Sequence, residues 1–189
     1  MMISRYKTLS SLLMALMLLA SCETDFTNPG AATEDQVLNS PDGLIGLAVG
    51  IQKRWSVGRQ SPVYTTVTAA GFTTFELRLI NPGNSEENAL SIGKDELIGT
   101  NGVVSNLWEE ALLVRNESDQ ILVNAEKIPD AGVRSGLIAT GAIFKALANG
   151  TLAQFFEQLP LANAENAVFS SREAALEDAI AALEAARST

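Results

Sequence analysis

The segment from Ser135 to Phe156 contains a single charged residue, Lys145, and consists otherwise mainly of apolar and small side chains. A helix that is apolar on nearly all sides cannot face water, so other helices or lipid must cover it. Polar residues such as Asn149 would be costly in a bilayer, which makes a transmembrane helix the second interpretation. The sequence therefore predicts a long helix that is buried in a stack of helices.

Five helices are predicted from the spacing of apolar residues and from start and stop signals. Their expected bounds are Pro41 to Val57, Pro62 to Leu79, Val103 to Glu126, from the Ile128-Pro129-Asp130 turn to about Gln158, and a last helix opened by the capping-box pattern Ser170-Ser171-Arg172-Glu173. The second helix is rich in β-branched residues, so a strand is the alternative there. A capping box at Thr33 predicts one further short turn. The segment from Asn81 to Gly102 is predicted to be a long loop.

Packing predictions follow from the faces of these helices. The expected core includes large apolar residues of the last three helices, namely Trp108, Ile121, Phe144, Leu152, Phe155 and Leu183. The last helix carries its apolar face on Leu176, Ala179, Ile180 and Leu183. A row of small residues is expected to admit a close helix contact: Ala142, Ala146 and Gly150. The predicted fold is all-α, a tetratricopeptide-like stack of helical hairpins in which the last three helices pair antiparallel.

The N-terminus is arranged like an export signal that ends in a lipidated cysteine. Arg5 and Lys7 precede an apolar run from Leu9 to Ala20, which is too short for a span of about 20 residues. The run leads into Leu19-Ala20-Ser21-Cys22, which resembles a bacterial lipobox, and Cys22 is the only cysteine. We therefore predict lipidation of Cys22; an incidental cysteine beside an ordinary cleavage site is the alternative.

This interpretation divides the chain into three parts. Residues 1–21 are the expected lipoprotein signal peptide, residues 22–39 a lipidated tether and residues 40–189 the helical domain. Two or more acyl chains on the cysteine would anchor the protein stably to a membrane. Glu23 and Asp25, directly after the cysteine, are expected to help direct the lipoprotein to the cell surface; a plain solvated tether is the alternative.

Composition argues against several classes of function. Without the signal peptide, 11 basic residues stand against 22 acidic ones, a net charge of −11. This charge argues against nucleic acid as a partner, because its phosphates require basic patches. The chain has no histidine, which removes the usual general base and zinc ligand, and it contains neither a P-loop nor a GxGxxG motif. The sequence predicts no enzyme, no catalytic residue, no metal ligand and no cofactor, with a carboxylate-pair hydrolase as the distant alternative.

The order of several motifs resembles SusD/RagB-type lipoproteins. The motifs are the lipobox, an acidic tether with a proline turn, the cap Ser40-Pro41-Asp42-Gly43, a helix that opens with Trp108, and the segment Gln158-Leu159-Pro160-Leu161. In the family's helical motif, an ungapped match places Lys145 at the Arg position, followed by Ala146, Leu152, Phe156 and Pro160. The match departs from that motif at Asn149, Gly150 and Glu157, and Leu112 stands where a Tyr commonly follows the Trp. The resemblance covers the N-terminal portion of the family, so the fold is expected to be incomplete relative to whole members.

The resemblance implies a lipid-anchored protein of the cell outer membrane, facing the surface, that captures a nutrient such as a glycan or oligomer. Its implied partner is a TonB-dependent transporter of the SusC type, and the helical part would serve mainly as scaffold and transporter contact. Ligand residues in this family come largely from later loops, so no ligand-binding residue is assigned. A tethered helical-repeat interaction module without ligand binding is the alternative. The aromatic residues that could stack on a sugar, or else belong to the core, are Trp55, Tyr64, Phe72 and Phe75.

Overall fold

The computed structural model describes residue 30 and residues 32–81 and 83–189, and within them the chain forms seven α-helices and one small sheet. The helices are α1 (Glu34–Leu38), α2 (Pro41–Ser56), α3 (Pro62–Thr73), α4 (Ser85–Ile92), α5 (Gly102–Ala125), α6 (Ala131–Phe155) and α7 (Arg172–Arg187). A 3-10 turn lies at Lys94–Glu96, and strands β1 (Gln158–Pro160) and β2 (Phe169–Ser171) pair antiparallel. The all-α prediction is therefore confirmed at the level of secondary structure. Residues 33–189 form one compact unit, which includes α1.

Side-chain caps set the starts of the helices where local signals predicted them. Ser40 Oγ accepts a hydrogen bond from the Gly43 N–H at 3.0 Å, so α2 begins at Pro41. At the start of α6, Asp130 Oδ1 accepts from the Val133 N–H at 2.8 Å. Both caps satisfy amide groups that the first turn of a helix leaves unpaired. The capping box predicted at Thr33 opens α1.

The prediction of a long loop from Asn81 to Gly102 was wrong, because this segment contains helix α4. Leu90 of α4 is almost fully buried, in a cluster with Ala69, Phe72 and Val103. The isolated sequence of this short, acidic helix has a weak apolar face, and its burial depends on contacts with α3 and α5. Long-range packing of this kind is invisible to a local pattern.

The segment from Pro62 forms helix α3, as predicted, and not the alternative strand. The helix ends at Thr73, earlier than the predicted Leu79. Phe75 follows with φ +63°, a left-handed conformation usually taken by glycine at the end of a helix. The Leu77 N–H then donates to the Gly71 carbonyl at 2.9 Å. The Leu77 side chain occupies the space next to Gly71, where an added Cβ would lie 2.5 Å from Leu77 Cγ. The chain therefore folds back against α3 after Thr73 because Gly71, a glycine within the helix, leaves room for Leu77.

The small sheet was not predicted and shifts the start of the last helix. Ser170 lies in β2, paired with Leu159, so Ser171 caps α7 by accepting from the Ala174 N–H at 3.3 Å. The predicted capping box at Ser170 was therefore one residue too early. The pair of strands closes the connection between α6 and α7 into a hairpin.

Helix α6 packs against both α5 and α7. Ile121 and Leu152 are fully buried as predicted, while Trp108, Phe144 and Phe155 are half-buried against the core. The prediction for Leu183 was wrong: it is 42% exposed.

The apolar face predicted on α7 is buried only at Ala179, and its three large residues point outward. Ala175 and Ala179 are buried, while Leu176, Ile180 and Leu183 are exposed. Alanine permits α7 to lie close to α6, and the rotation brings Asp178 toward Lys145 of α6. An ion pair and close backbone packing thus determine which face of the helix is buried.

By length and composition, α6 could cross a membrane, and half of its most apolar window is buried against the rest of the domain. A core helix of a globular unit meets the same criterion. This burial agrees with the first of the two interpretations, a long helix that other helices cover.

The close contact between helices lies at Gly141, not at the predicted Gly150. A Cβ added at Gly141 would lie 3.0 Å from Leu122 Cγ and 3.2 Å from the Ser118 carbonyl oxygen of α5, whereas one added at Gly150 would meet no heavy atom of the described residues within 4 Å. The reason is rotation about the helix axis: Gly141 points toward α5, and Gly150 does not.

We expect Gly141→Leu to lower the free energy of unfolding by about 1–3 kcal/mol through overpacking. The matched variant Gly150→Leu should leave it unchanged or raise it by up to about 1 kcal/mol, because leucine favours the helix over glycine. Urea denaturation of both variants measures the difference. Equal destabilisation by the two substitutions would contradict the assignment of the contact to Gly141.

Candidate functional site

A polar network joins α5, α6 and α7 at the middle of the three-helix unit. Lys145 Nζ of α6 lies 3.0 Å from Asp119 Oδ1 of α5 and 3.2 Å from Asp178 Oδ2 of α7. Asn149, one turn along α6, donates to the same Asp178 oxygen at 2.8 Å. Asn149 is fully buried, and its Oδ1 has no partner in the described part of the chain. The single charge of the apolar segment therefore bridges two helices.

The pKa of Lys145 reflects two opposing effects. Burial by itself lowers the pKa of this ammonium, but the hydrogen bonds and charges of Asp119 and Asp178 raise it above its ordinary value. Lys145 is therefore a permanent cation at neutral pH. Both carboxylates contact it directly, so Lys145 connects α6 to α5 and to α7.

Arg115 of α5 is a second buried cation close to this network, with 2% of its surface exposed. One guanidinium nitrogen donates to the Pro160 carbonyl at the end of β1, and another donates to Asn163 Oδ1 at 2.7 Å. Asn163 in turn donates to Asp119 Oδ2 at 3.1 Å. Desolvation lowers the pKa of Arg115, partly offset by the charges of Asp119 and Asp178.

Arg115 lacks a direct anionic partner among residues 32–81 and 83–189. It makes no salt bridge there, and its buried Nε–H has no hydrogen-bond acceptor. Guanidinium offers five N–H donors, and two of its nitrogens are engaged. Buried charges are normally paired, so this arrangement marks a site of interest.

Arg115 lines an open groove between α5 and the connection from residue 161 to residue 168, which we call the Trp108 groove. Its cavity measures about 510 Å³, and its lining includes Trp108, Leu112, Arg115, Pro160, Asn163 and Ala167. Phe156 meets the Trp108 ring edge-on at 4.8 Å, and Phe169 stacks on it at 6.0 Å. The groove thus combines apolar walls with one buried cation.

The aromatic residues proposed as sugar platforms are placed differently from one another. Phe72 belongs to the core, and Trp55 packs edge-on against Phe144 at 6.3 Å. Tyr64 and Phe75 are exposed, Phe75 to 75%.

Tyr64 lines a second groove, of about 580 Å³, beside α3. Arg59 lies 5.7 Å from the centre of the Tyr64 ring and forms an ion pair with Glu87 at 3.0 Å. The carboxylate of Glu87 thus pairs the charge of Arg59. The α3 groove therefore offers an exposed ring but no unpaired charge.

Sequence reasoning did not identify Arg115, Asp119, Asn163 or Asp178. The spacing of Arg115 and Asp119 by four residues places both on one helical face and could have signalled a polar stripe. Their connection to α6 and α7 had no local signal. No group of three potential metal-ligating side chains occurs in the described ranges. Cys22, Glu23 and Asp25 lie outside the described residues.

Comparisons with known proteins found no match: no family model, no curated protein and no solved structure is significantly similar to the chain. The resemblance to SusD/RagB-type lipoproteins therefore stays a prediction from the quoted motifs.

Proposed function

We propose that this protein is a lipid-anchored lipoprotein of the outer membrane that captures a nutrient for a TonB-dependent transporter of the SusC type. The helical unit would be a tetratricopeptide-like stack that acts as scaffold and as the surface for the transporter. The lipobox at Cys22 supports the anchor. The family resemblance supports the partner.

The observation that carries the proposal is the position of the motif residues in the fold. Lys145, at the motif's Arg position, bridges α5 and α7. Leu152 is fully buried, Phe156 contacts Trp108, and the Pro160 carbonyl accepts from Arg115. All four residues hold the three-helix unit together. These structural roles support the proposal that the motif residues serve as scaffold.

A tethered interaction module is the second candidate, and one surface favours it. Leu176, Ile180 and Leu183 lie on one face of α7 and are 44%, 56% and 42% exposed. An apolar stripe on the outer helix of a stack is suited to a further protein surface. Such a surface suits a protein partner and involves no small ligand.

The proposal predicts that tagged protein, extracted in detergent from the native host, co-purifies with a large outer-membrane barrel. Ile180→Glu tests the α7 surface, and Glu177→Gln on the same helix is the control. Recovery of the barrel with the native chain supports the capture system. Recovery of small non-membrane partners alone would favour the interaction module, and loss of the barrel with Ile180→Glu would assign the contact to α7.

A further inference from the structure

We propose that the Trp108 groove is a ligand site for molecules with an apolar body and one carboxylate, which Arg115 binds. The inference deepens the proposed capture function, on which its biological role rests, by naming a ligand class and a site. Trp108, Leu112 and Pro160 of the groove occur in the comparison with the family's motifs, whereas Arg115 does not.

Arg115 lacks both an anionic partner and an acceptor for one N–H group within the described residues. This side chain is 98% buried by the exposure given above, yet its direct partners are a neutral carbonyl and a neutral amide oxygen. Its Nε–H has no acceptor in the described part of the chain. Each terminal nitrogen carries a second N–H, from which a carboxylate in the groove would accept, and the carboxylate would supply the missing negative charge.

The neighbouring carboxylates of Asp119 and Asp178 do not form an ion pair with Arg115, because they contact other side chains. Asp119 binds Lys145 and receives a hydrogen bond from Asn163. Asp178 binds Lys145 and Asn149. Neither acid forms an ion pair with Arg115, although the charges of both raise the pKa of Arg115. An anion in the groove would be the first to contact the guanidinium directly.

The lining of the groove also favours such a ligand. Trp108, Leu112, Leu113 and several alanines form most of its wall, and its volume of about 510 Å³ falls within the range of small-molecule sites. Apolar walls with one placed charge select an amphipathic ligand over a sugar, whose many hydroxyl groups would lack partners. Glu109 is exposed and is the one acid in the lining of the groove, where it would repel an anion.

Two sources share this chemistry, namely short fatty acids and the C-terminus of an apolar peptide. Hexanoate and N-acetylleucine represent them as probes. The chain has two tryptophans, Trp55 and Trp108, and Trp108 lines the groove. In the Trp55→Phe variant, tryptophan fluorescence therefore comes from Trp108 alone. Fluorescence titration of this purified full chain, with a protein-free detergent blank, measures binding.

We expect a saturable change in Trp108 fluorescence with at least one of the acids, and at least tenfold weaker binding of hexanamide, the uncharged counterpart of hexanoate. The tighter acid would identify the source. Glu109→Gln, a change at an exposed position, should strengthen binding of the acid about twofold to threefold and leave the amide unaffected. Equal binding of acid and amide, or no effect of Glu109→Gln on the acid, would overturn the charge argument.

Ala164 lines the groove and is exposed, so Ala164→Phe should block it without touching the core. Ala139→Phe, at an exposed position of α6 outside the groove lining, is the matched control. Binding that survives Ala164→Phe, or that is lost equally with Ala139→Phe, would overturn the site. Failure of both acids to bind while the barrel still co-purifies would remove this inference and leave the proposed function intact.

Discussion

Cys22→Ala is expected to abolish fatty-acid labelling of the protein and to remove it from the outer-membrane fraction. The thiol of Cys22 is the only sulfur nucleophile in the chain and stands directly after Leu19-Ala20-Ser21. Without it, the diacylglycerol cannot be attached, and the signal peptidase that requires the modified cysteine cannot cut. Because stable anchoring needs two or more acyl chains, the loss should be nearly complete.

Metabolic labelling with an alkyne fatty acid, followed by fractionation, measures both effects. Ser21→Ala is a suitable control, because it changes the neighbouring residue and preserves the thiol. Labelling of the Cys22→Ala protein at the level of the native chain would contradict the lipobox interpretation.

Lys145→Met is expected to lower the free energy of unfolding by about 3 kcal/mol. The substitution retains much of the side-chain volume but leaves Asp119 and Asp178 without their shared cation in a half-buried site. Breaking a buried ion pair from one side is costly because the remaining charge stays desolvated. For a domain of this size, the loss corresponds to about 6–12 °C in Tm.

Two controls separate the network from a general effect of losing a lysine. Lys53→Met removes an exposed lysine of α2 and should change stability by less than about 0.5 kcal/mol. Adding Asp119→Asn and Asp178→Asn to Lys145→Met should recover part of the loss, because uncompensated charges are removed. A cost for Lys145→Met no larger than that for Lys53→Met would contradict the role of the network.

The pH dependence of this contribution follows from the raised pKa of Lys145. A cation with a higher pKa in the folded state stabilises the fold fully below the pKa of an unfolded lysine, near 10.4. The contribution is lost as the pH rises through the folded value. The stability difference between the native chain and Lys145→Met should therefore be constant around neutral pH and shrink under strongly alkaline conditions.

Prediction from sequence was accurate where the deciding interaction is local. The starts of α2 and α6 depend on hydrogen bonds between residues three apart, as in Ser40 with Gly43 and Asp130 with Val133. It failed at α4, whose Leu90 is buried by residues of α3 and α5, and at Ser170, which a partner strand takes out of the helix. In both cases the decisive neighbour is distant in the chain.

The sequence by itself determined that the chain is helical, where α2 and α6 begin, and that a nearly uncharged helix with Lys145 must be covered by others. Only the tertiary structure decided which sides of the helices meet. Lys145 requires carboxylates from two other helices, and Gly141 permits the close approach of α5, so the orientation of α5, α6 and α7 is set jointly. The same arrangement leaves Arg115 buried beside the Trp108 groove, with no ion pair to any acid of the described residues. Charge pairing and close packing act between segments far apart in the chain, so neither has a signature within a single helix.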